Sequence, residues 1–223
     1  KPVLFINKVD RLINELQVTP EDMMARFIET IKKVNRLIRQ FAPKGMEKAW
    51  QVSVEDGTVA FGSAYHNWGI TVPYMAKSGI SFKEIFEYCN NEDQKTLAQK
   101  APVHEVLLDM AVSKLPGPIE AQKYRIPNIW TGDLDSDIGK AMMNCDPEAE
   151  LAMMVTKIWM DPHAGEVAVG RVYSGAINQG ESVYAIGAAK PERVQQVAMM
   201  VGGDRITVPK VVAGNIAAVT GIR

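Results

Sequence analysis

Only two cysteines occur in 223 residues, too few for a disulfide framework and, as Cys89 and Cys145, too far apart for a zinc-binding pair. Both read as reduced bystanders. Histidine is equally scarce: His66, His104 and His163 fall on unrelated segments, which argues against a catalytic or zinc cluster. No run approaches the roughly 18 apolar residues of a membrane helix, and no basic-then-apolar leader precedes the first apolar run. A membrane partner is therefore not expected, and the cytoplasm is the expected location. A net charge of −1 gives no general attraction to nucleic acid, so DNA is not an expected partner and any RNA contact must be local. What the chain does have is apolar material: 47% hydrophobic residues suffice for one large or two small domains.

The chain opens without an initiator Met, already inside the apolar run Val3–Ile6. A short, continuously apolar run of this kind suits a parallel strand buried on both faces. Thr19-Pro20-Glu21-Asp22 then supplies an N-cap, a Pro at the first helical position and an acidic partner. A long helix follows, with Met24, Phe27, Ile28, Ile31, Val34, Ile38 and Phe41 facing inward until Ala42-Pro43-Lys44-Gly45 stops it. Lys32, Lys33, Arg36 and Arg39 on its other side read as a solvated face. Glu55-Asp56-Gly57 between Trp50–Val54 and Thr58–Phe61 predicts a hairpin. Ser81-Phe82-Lys83-Glu84 predicts a capping box opening a helix through Tyr88. A further helix from Pro102 carries Val106, Leu107, Met110 and Leu115 inward and ends at LPGP.

From about Ile126 the pattern changes. TGDLDSDIGKAMMNCDPEAE reads as polar and helix-poor, and the runs Leu151–Met160, Glu166–Tyr173, Ser182–Ile186, Arg193–Met200 and Ile216–Val219 are separated by glycines. That spacing predicts an antiparallel barrel or sandwich. Asp133, Asp135 and Asp137 begin like a calcium loop, but Ile138 stands where the turn glycine belongs and Asn144 where the bidentate Glu belongs, so no metal is expected. The paired methionines read as core filler. The fold class is α/β plus all-β, with the boundary in PGPIEAQKYR.

Asn7-Lys8-Val9-Asp10 follows the first strand directly, at the end where open α/β sheets bind ligands. Guanine differs from adenine in presenting a ring N–H and an exocyclic amine beside a carbonyl. One fixed carboxylate, Asp10, accepts from both donors. Adenine would leave that carboxylate unpaired, a kind of discrimination that reaches roughly 10⁴-fold. Asn7 supplies an amide that donates to the ring edge and ties neighbouring loops, and Lys8 lays its aliphatic stem over the base plane. The bland alternative is a polar strand-to-helix turn. Phe61-Gly62-Ser63-Ala64 ends a second strand with small residues that allow backbone N–H groups close to a base.

The stretches NKVDRL, VAFGSAYHNWG, LDMAVSKLPGP, GDLDSDIGKAM, CDPEAELAMMVTKIWMDPHAGEVAVGRVYSGAINQGESV and AGNIAAVTGI resemble the archaeal elongation factor 2 family of ribosomal translocases, within the translational GTPases, over essentially the whole chain. The resemblance implies that Asn7, Lys8 and Asp10 belong to a guanine-specificity motif and Gly62, Ser63 and Ala64 to a second base-contacting loop. It implies the C-terminal part of a P-loop-type GTPase domain over residues 1–118, with a helical and hairpin insertion at about 14–60. A linker over 119–125 and a translation-factor antiparallel β-barrel over 126–223, incomplete at its C-terminus, would follow. It also implies GTP or GDP with magnesium, and the ribosome, as cofactor and partner of a parent protein that hydrolyses GTP to move tRNA and mRNA.

The chain departs from that family in having no GxxxxGK[ST] and no DxxG; Gly139-Lys140 lacks the upstream glycine and the following hydroxyl. Base recognition without phosphate recognition implies a fragment cut before the first strand, without catalytic residues or hydrolysis of its own and with no tightly bound nucleotide. A sheet lacking strands implies an edge through which such a fragment self-associates. The competing reading is a standalone, non-catalytic ribosome-binding module. From Ile126 onward eight Lys and Arg stand against eleven Asp and Glu, a net of −3, which disfavours broad phosphate binding by the barrel.

Overall fold

The computed structural model describes residues 1–162 and 164–222, so His163 and Arg223 lie outside the described residues. The chain forms two compact units, 1–115 and 116–223.

In the first unit the order is β1 (Leu4–Ile6), α1 (Val9–Asn14), α2 (Pro20–Phe41), β2 (Val59–Ser63), β3 (Trp68–Ile70), α3 (Val72–Ser78), α4 (Phe82–Asn90), α5 (Gln94–Lys100) and α6 (Val103–Lys114). The sheet runs β1-β2-β3, with β1 parallel and β3 antiparallel to β2. Every residue of β2 is buried, whereas β1 is only half-buried. The expectation of a first strand buried on both faces is thus corrected for the described residues, among which β1 pairs with β2 alone. Alternation along β2 serves two cores. Val59 and Phe61 face the cluster of Val9, Met23, Phe27, Ile85 and Leu97, while Ala60 meets Val106 and Met110 of α6.

Helix α2 starts as its cap predicts, with the Thr19 hydroxyl accepting from the Asp22 N–H at 3.1 Å. Its buried residues are Met23, Phe27 and Ile38, and Met24, Ile28 and Phe41 are exposed. Phe27, Ile31, Val34 and Ile38 thus face the core as predicted, with Met23 rather than Met24 opening the stripe. The predicted 50–61 hairpin is also corrected. Both edges of β2 are taken by β1 and β3, and the backbone of Val52 bonds instead to the Asn35 side chain of α2, as donor at 2.8 Å and acceptor at 2.9 Å. The Asp-Gly turn survives, held by the Ser53 N–H on the Thr58 hydroxyl at 2.8 Å. Helix α4 has both arms of its capping box, Ser81 and Glu84. In α6, Val106 and Met110 are buried as predicted, but Leu115 ends the helix exposed.

The second unit begins with α7 (Pro118–Ile129) and α8 (Asp137–Asn144), followed by β4 (Ala152–Asp161), β5 (Gly165–Ser174), β6 (Ala176–Asn178), β7 (Ser182–Ala185), β8 (Lys190–Arg193), β9 (Gln196–Val201), β10 (Asp204–Val208), β11 (Lys210–Val212) and β12 (Ile216–Thr220). Residues 119–125, expected as a linker, are helical because Pro118 sits in the first turn, where its missing N–H costs nothing. The buried amide of Gln122 pins this helix by donating to the Met142 and Tyr173 carbonyls. The supposedly helix-poor stretch contains α8, capped by Ser136 accepting from the Gly139 N–H at 3.2 Å. Five antiparallel strands form the sheet β10-β9-β12-β5-β4, and β11-β6 and β7-β8 form two-stranded sheets. Predicted strand 193–200 is two strands, interrupted where Val194 exchanges backbone bonds with Gly180 and Glu181.

Candidate functional site

The parallel register Leu4 to Val59, Phe5 to Ala60 and Ile6 to Phe61 brings the C-terminal ends of β1 and β2 side by side. Asn7 leaves β1 there, and Ser63 and Ala64 leave β2. The Asn7 carbonyl Oδ1 accepts from its neighbour Lys8 N–H at 2.8 Å and from the Ala64 N–H, 57 residues away, at 3.0 Å. One side chain thus ties the two loops together. It also consumes the Ala64 N–H, leaving the Asn7 amide NH₂ as the outward donor.

Lys8 has φ 67° and ψ 31°, left-handed backbone that a non-glycine residue adopts at a cost of about 1 kcal/mol or more. The turn there sends the chain straight into α1 with Asp10 in its first turn. Asp10 is 8% exposed; its Oδ2 stands 3.6 Å from His66 Nε2, and its Oδ1 is buried without a hydrogen-bond partner. A buried carboxylate oxygen with no donor is costly, which marks Asp10 as incomplete without a further group. Ser63, fully buried, uses its hydroxyl to accept from the His66 N–H at 3.3 Å, fixing the 64–67 turn. Gly62 permits that turn to sit close: a Cβ there would stand 2.3 Å from the Trp68 carbonyl oxygen and 2.8 Å from Gly69 Cα.

Asn7, Lys8, Asp10, Arg11, Ser63 and Tyr65 enclose a cavity of ≈ 110 Å³. Drug-sized and nucleotide ligands generally occupy about 300–1,000 Å³, so this cavity suits one heterocycle rather than a whole nucleotide. Arg11, Tyr65 and His66 were not singled out from sequence. Tyr65 is 87% exposed and meets the His66 ring edge-on at 4.9 Å. A larger cavity of ≈ 420 Å³ lies between Ile13, Gln17, Phe86, Cys89 and Glu92. Its one thiol is chemically quiet: burial first, and then the Asp10 charge, push Cys89 up to about 12. Among the described residues no group of three or more His, Cys, Asp or Glu converges to hold a metal. Asp133 instead accepts from the Asp135 N–H at 2.9 Å in the turn before α8. No described helix is long and apolar enough to cross a membrane.

The first unit thus carries a polar loop pair at the carboxyl ends of two parallel strands, and an antiparallel β unit follows it in the chain. Residues 150–223 match the family model Elongation factor G domain 2. All 223 residues align with elongation factor 2 of Thermococcus kodakarensis at 58% identity, of Methanococcus vannielii at 57% and of Methanopyrus kandleri at 58%, covering 30%, 31% and 18% of those proteins. The chain is therefore homologous, along its whole length, to a segment of archaeal elongation factor 2. It spans about 30% of the length of most of the curated relatives it matches.

Proposed function

We propose that this chain is the guanine-reading and barrel segment of a translational GTPase of the elongation factor 2 type, whose whole form hydrolyses GTP to drive tRNA and mRNA through the ribosome in the cytoplasm. The observation that carries it is Asp10: a buried carboxylate with one unpartnered oxygen, lining a heterocycle-sized cavity at the carboxyl edge of parallel strands. Asp10 accepts the ring N–H and exocyclic amine of guanine. The Asn7 amide donates to the ring edge, the Lys8 stem covers one face, and Ser63 and Ala64 hold the second loop against the first.

The residues present fit a base and supply no glycine-rich phosphate cradle or P-loop lysine. In the whole protein magnesium would supply charge neutralisation at the phosphates, which usually dominate nucleotide affinity. The chain by itself accordingly binds guanine nucleotides weakly and does not hydrolyse GTP. Its partner in the whole protein is the ribosome, and the open edge of β1 is where the isolated chain self-associates.

Titrating the purified chain with GMP and with AMP, followed by nuclear magnetic resonance, tests the reading. Expected are GMP-specific shifts at residues 7–11 and 63–66, lost in Asp10→Asn, with no phosphate release from GTP. Equal responses to GMP and AMP would refute base reading; GTP turnover by the pure chain would refute the assignment of catalysis to the whole protein.

A further inference from the structure

We propose that His66 is a positioning residue for guanine recognition, orienting the Asp10 carboxylate so that it meets both donors of the base. The inference rests on the base-reading role of Asp10 and names the group that aims it. His66 Nε2 stands 3.6 Å from Asp10 Oδ2, just beyond hydrogen-bond distance, and His66 does not line the cavity that Asp10 lines. Among the described residues Oδ1 has no hydrogen-bond partner. Without a second anchor a carboxylate rotates freely about its terminal bond, a broad two-fold torsion. A small closure that let Nε2 donate to Oδ2 would fix the carboxylate with Oδ1 and the remaining lone pair of Oδ2 open to one edge of a base.

His66 is itself held on two sides. Its backbone N–H is bound by Ser63 Oγ at 3.3 Å, and its ring stands edge-on to Tyr65 at an interplanar angle of 89°. The second loop therefore reads the base indirectly, through the first loop's acid. Of the other charged groups nearby, Lys8 and Arg11 line the cavity itself. Arg11 reaches Glu15 at 3.6 Å, Lys8 is exposed, and Cys89, which feels the Asp10 charge, stays a neutral thiol.

Inosine lacks the exocyclic amine of guanine, so the ratio of GMP to IMP affinity counts how many donors Asp10 accepts. A second hydrogen bond to a charged acceptor corresponds to roughly tenfold to a hundredfold in affinity. The wild-type chain is expected to prefer GMP over IMP by at least about tenfold. His66→Ala should bring the two within about threefold, chiefly by weakening GMP, and His66→Gln, whose amide can still donate to Oδ2, should restore the preference. A GMP preference unchanged in His66→Ala, with an unchanged melting curve, overturns the positioning role while leaving Asp10 as reader. A wild-type chain that does not distinguish GMP from AMP refutes base reading itself, and the present inference with it. If His66→Ala melts early, His66→Gln decides: restored stability without restored preference also overturns the proposal.

Discussion

Replacing Asn7 by alanine should loosen the site before it loosens the fold. The substitution removes one acceptor shared by two backbone donors, Lys8 at 2.8 Å and Ala64 at 3.0 Å. Asn7, Lys8 and Ala64 are all exposed, so water replaces part of what is lost, and each bond is worth about 0.5–1 kcal/mol net. Lys8 meanwhile loses the contact that supports its left-handed backbone. Together these give a destabilisation of about 1–2 kcal/mol. Global unfolding is a blunt probe of a chain with two compact units. Amide hydrogen exchange at Ala64 is sharper, and should quicken by about tenfold, since every 1.4 kcal/mol is a factor of ten. Asn7→Asp separates the two jobs of the side chain. It keeps an oxygen acceptor for both N–H groups, and so protection at Ala64, but it exchanges the outward NH₂ for an oxygen and should abolish the GMP response. If Asn7→Ala leaves Ala64 exchange within about twofold of wild type, the cross-loop tie does not organise this edge and the geometric basis of the site falls.

Gly62→Ala should cost about 3 kcal/mol in urea unfolding, the upper end for overpacking, because the new Cβ would meet backbone at 2.3 and 2.8 Å rather than a side chain able to move. Gly187→Ala, with nothing within 4 Å, is the matched control and should change stability by less than about 0.5 kcal/mol. Gln122→Leu leaves the Met142 and Tyr173 carbonyls without their buried donor and should destabilise the second unit by about 2–4 kcal/mol; a loss under about 1 kcal/mol would mean that water substitutes there. Neither Cys89 nor Cys145 should react with a thiol reagent at pH 8 until the chain is unfolded, since burial raises both. The raised Cys89 value also sets a pH dependence: relative to an unfolded thiol near about 8.5, its contribution to stability is complete below that pH and declines as pH climbs toward 12. Rising urea midpoints between pH 9 and 11 would contradict it.

Local signals in this sequence proved reliable where their chemistry is short-range. Thr19-Pro20 and the Ser81 to Glu84 capping box begin helices where predicted, since a cap acts on N–H groups within three residues. Asp-Gly at 56–57 turns the chain as expected. What failed was the inference from a turn to a hairpin, which depends on whether β2 has a free edge; β1 and β3 had taken both, and Asn35 supplied the substitute partner for Val52. The division into units falls at the start of PGPIEAQKYR, between Leu115 and Pro116; what was not legible is that this segment is helical. Prolines around 116–127 look like linker residues, but Pro118 stands in a first turn and the long-range bonds of Gln122 draw the segment into a core.

The same division runs through the site. Asn7, Lys8 and Asp10 are adjacent in sequence and could be assigned jobs from hydrogen-bonding chemistry alone. His66 is 56 residues from Asp10, and no periodicity joins them. Their approach to 3.6 Å depends on β1 lying parallel to β2 in the observed register, on Gly62 admitting the Trp68 carbonyl, and on Ser63 closing the turn that carries the imidazole. A one-residue slip in that register would turn Phe61 away from its core and carry His66 out of reach of the acid. If Asp10 reads a base as proposed, a local motif names it but the sheet aims it, and Gly62, read from the sequence only for close approach to a base, then bears on that aim by admitting the Trp68 carbonyl as well as on stability.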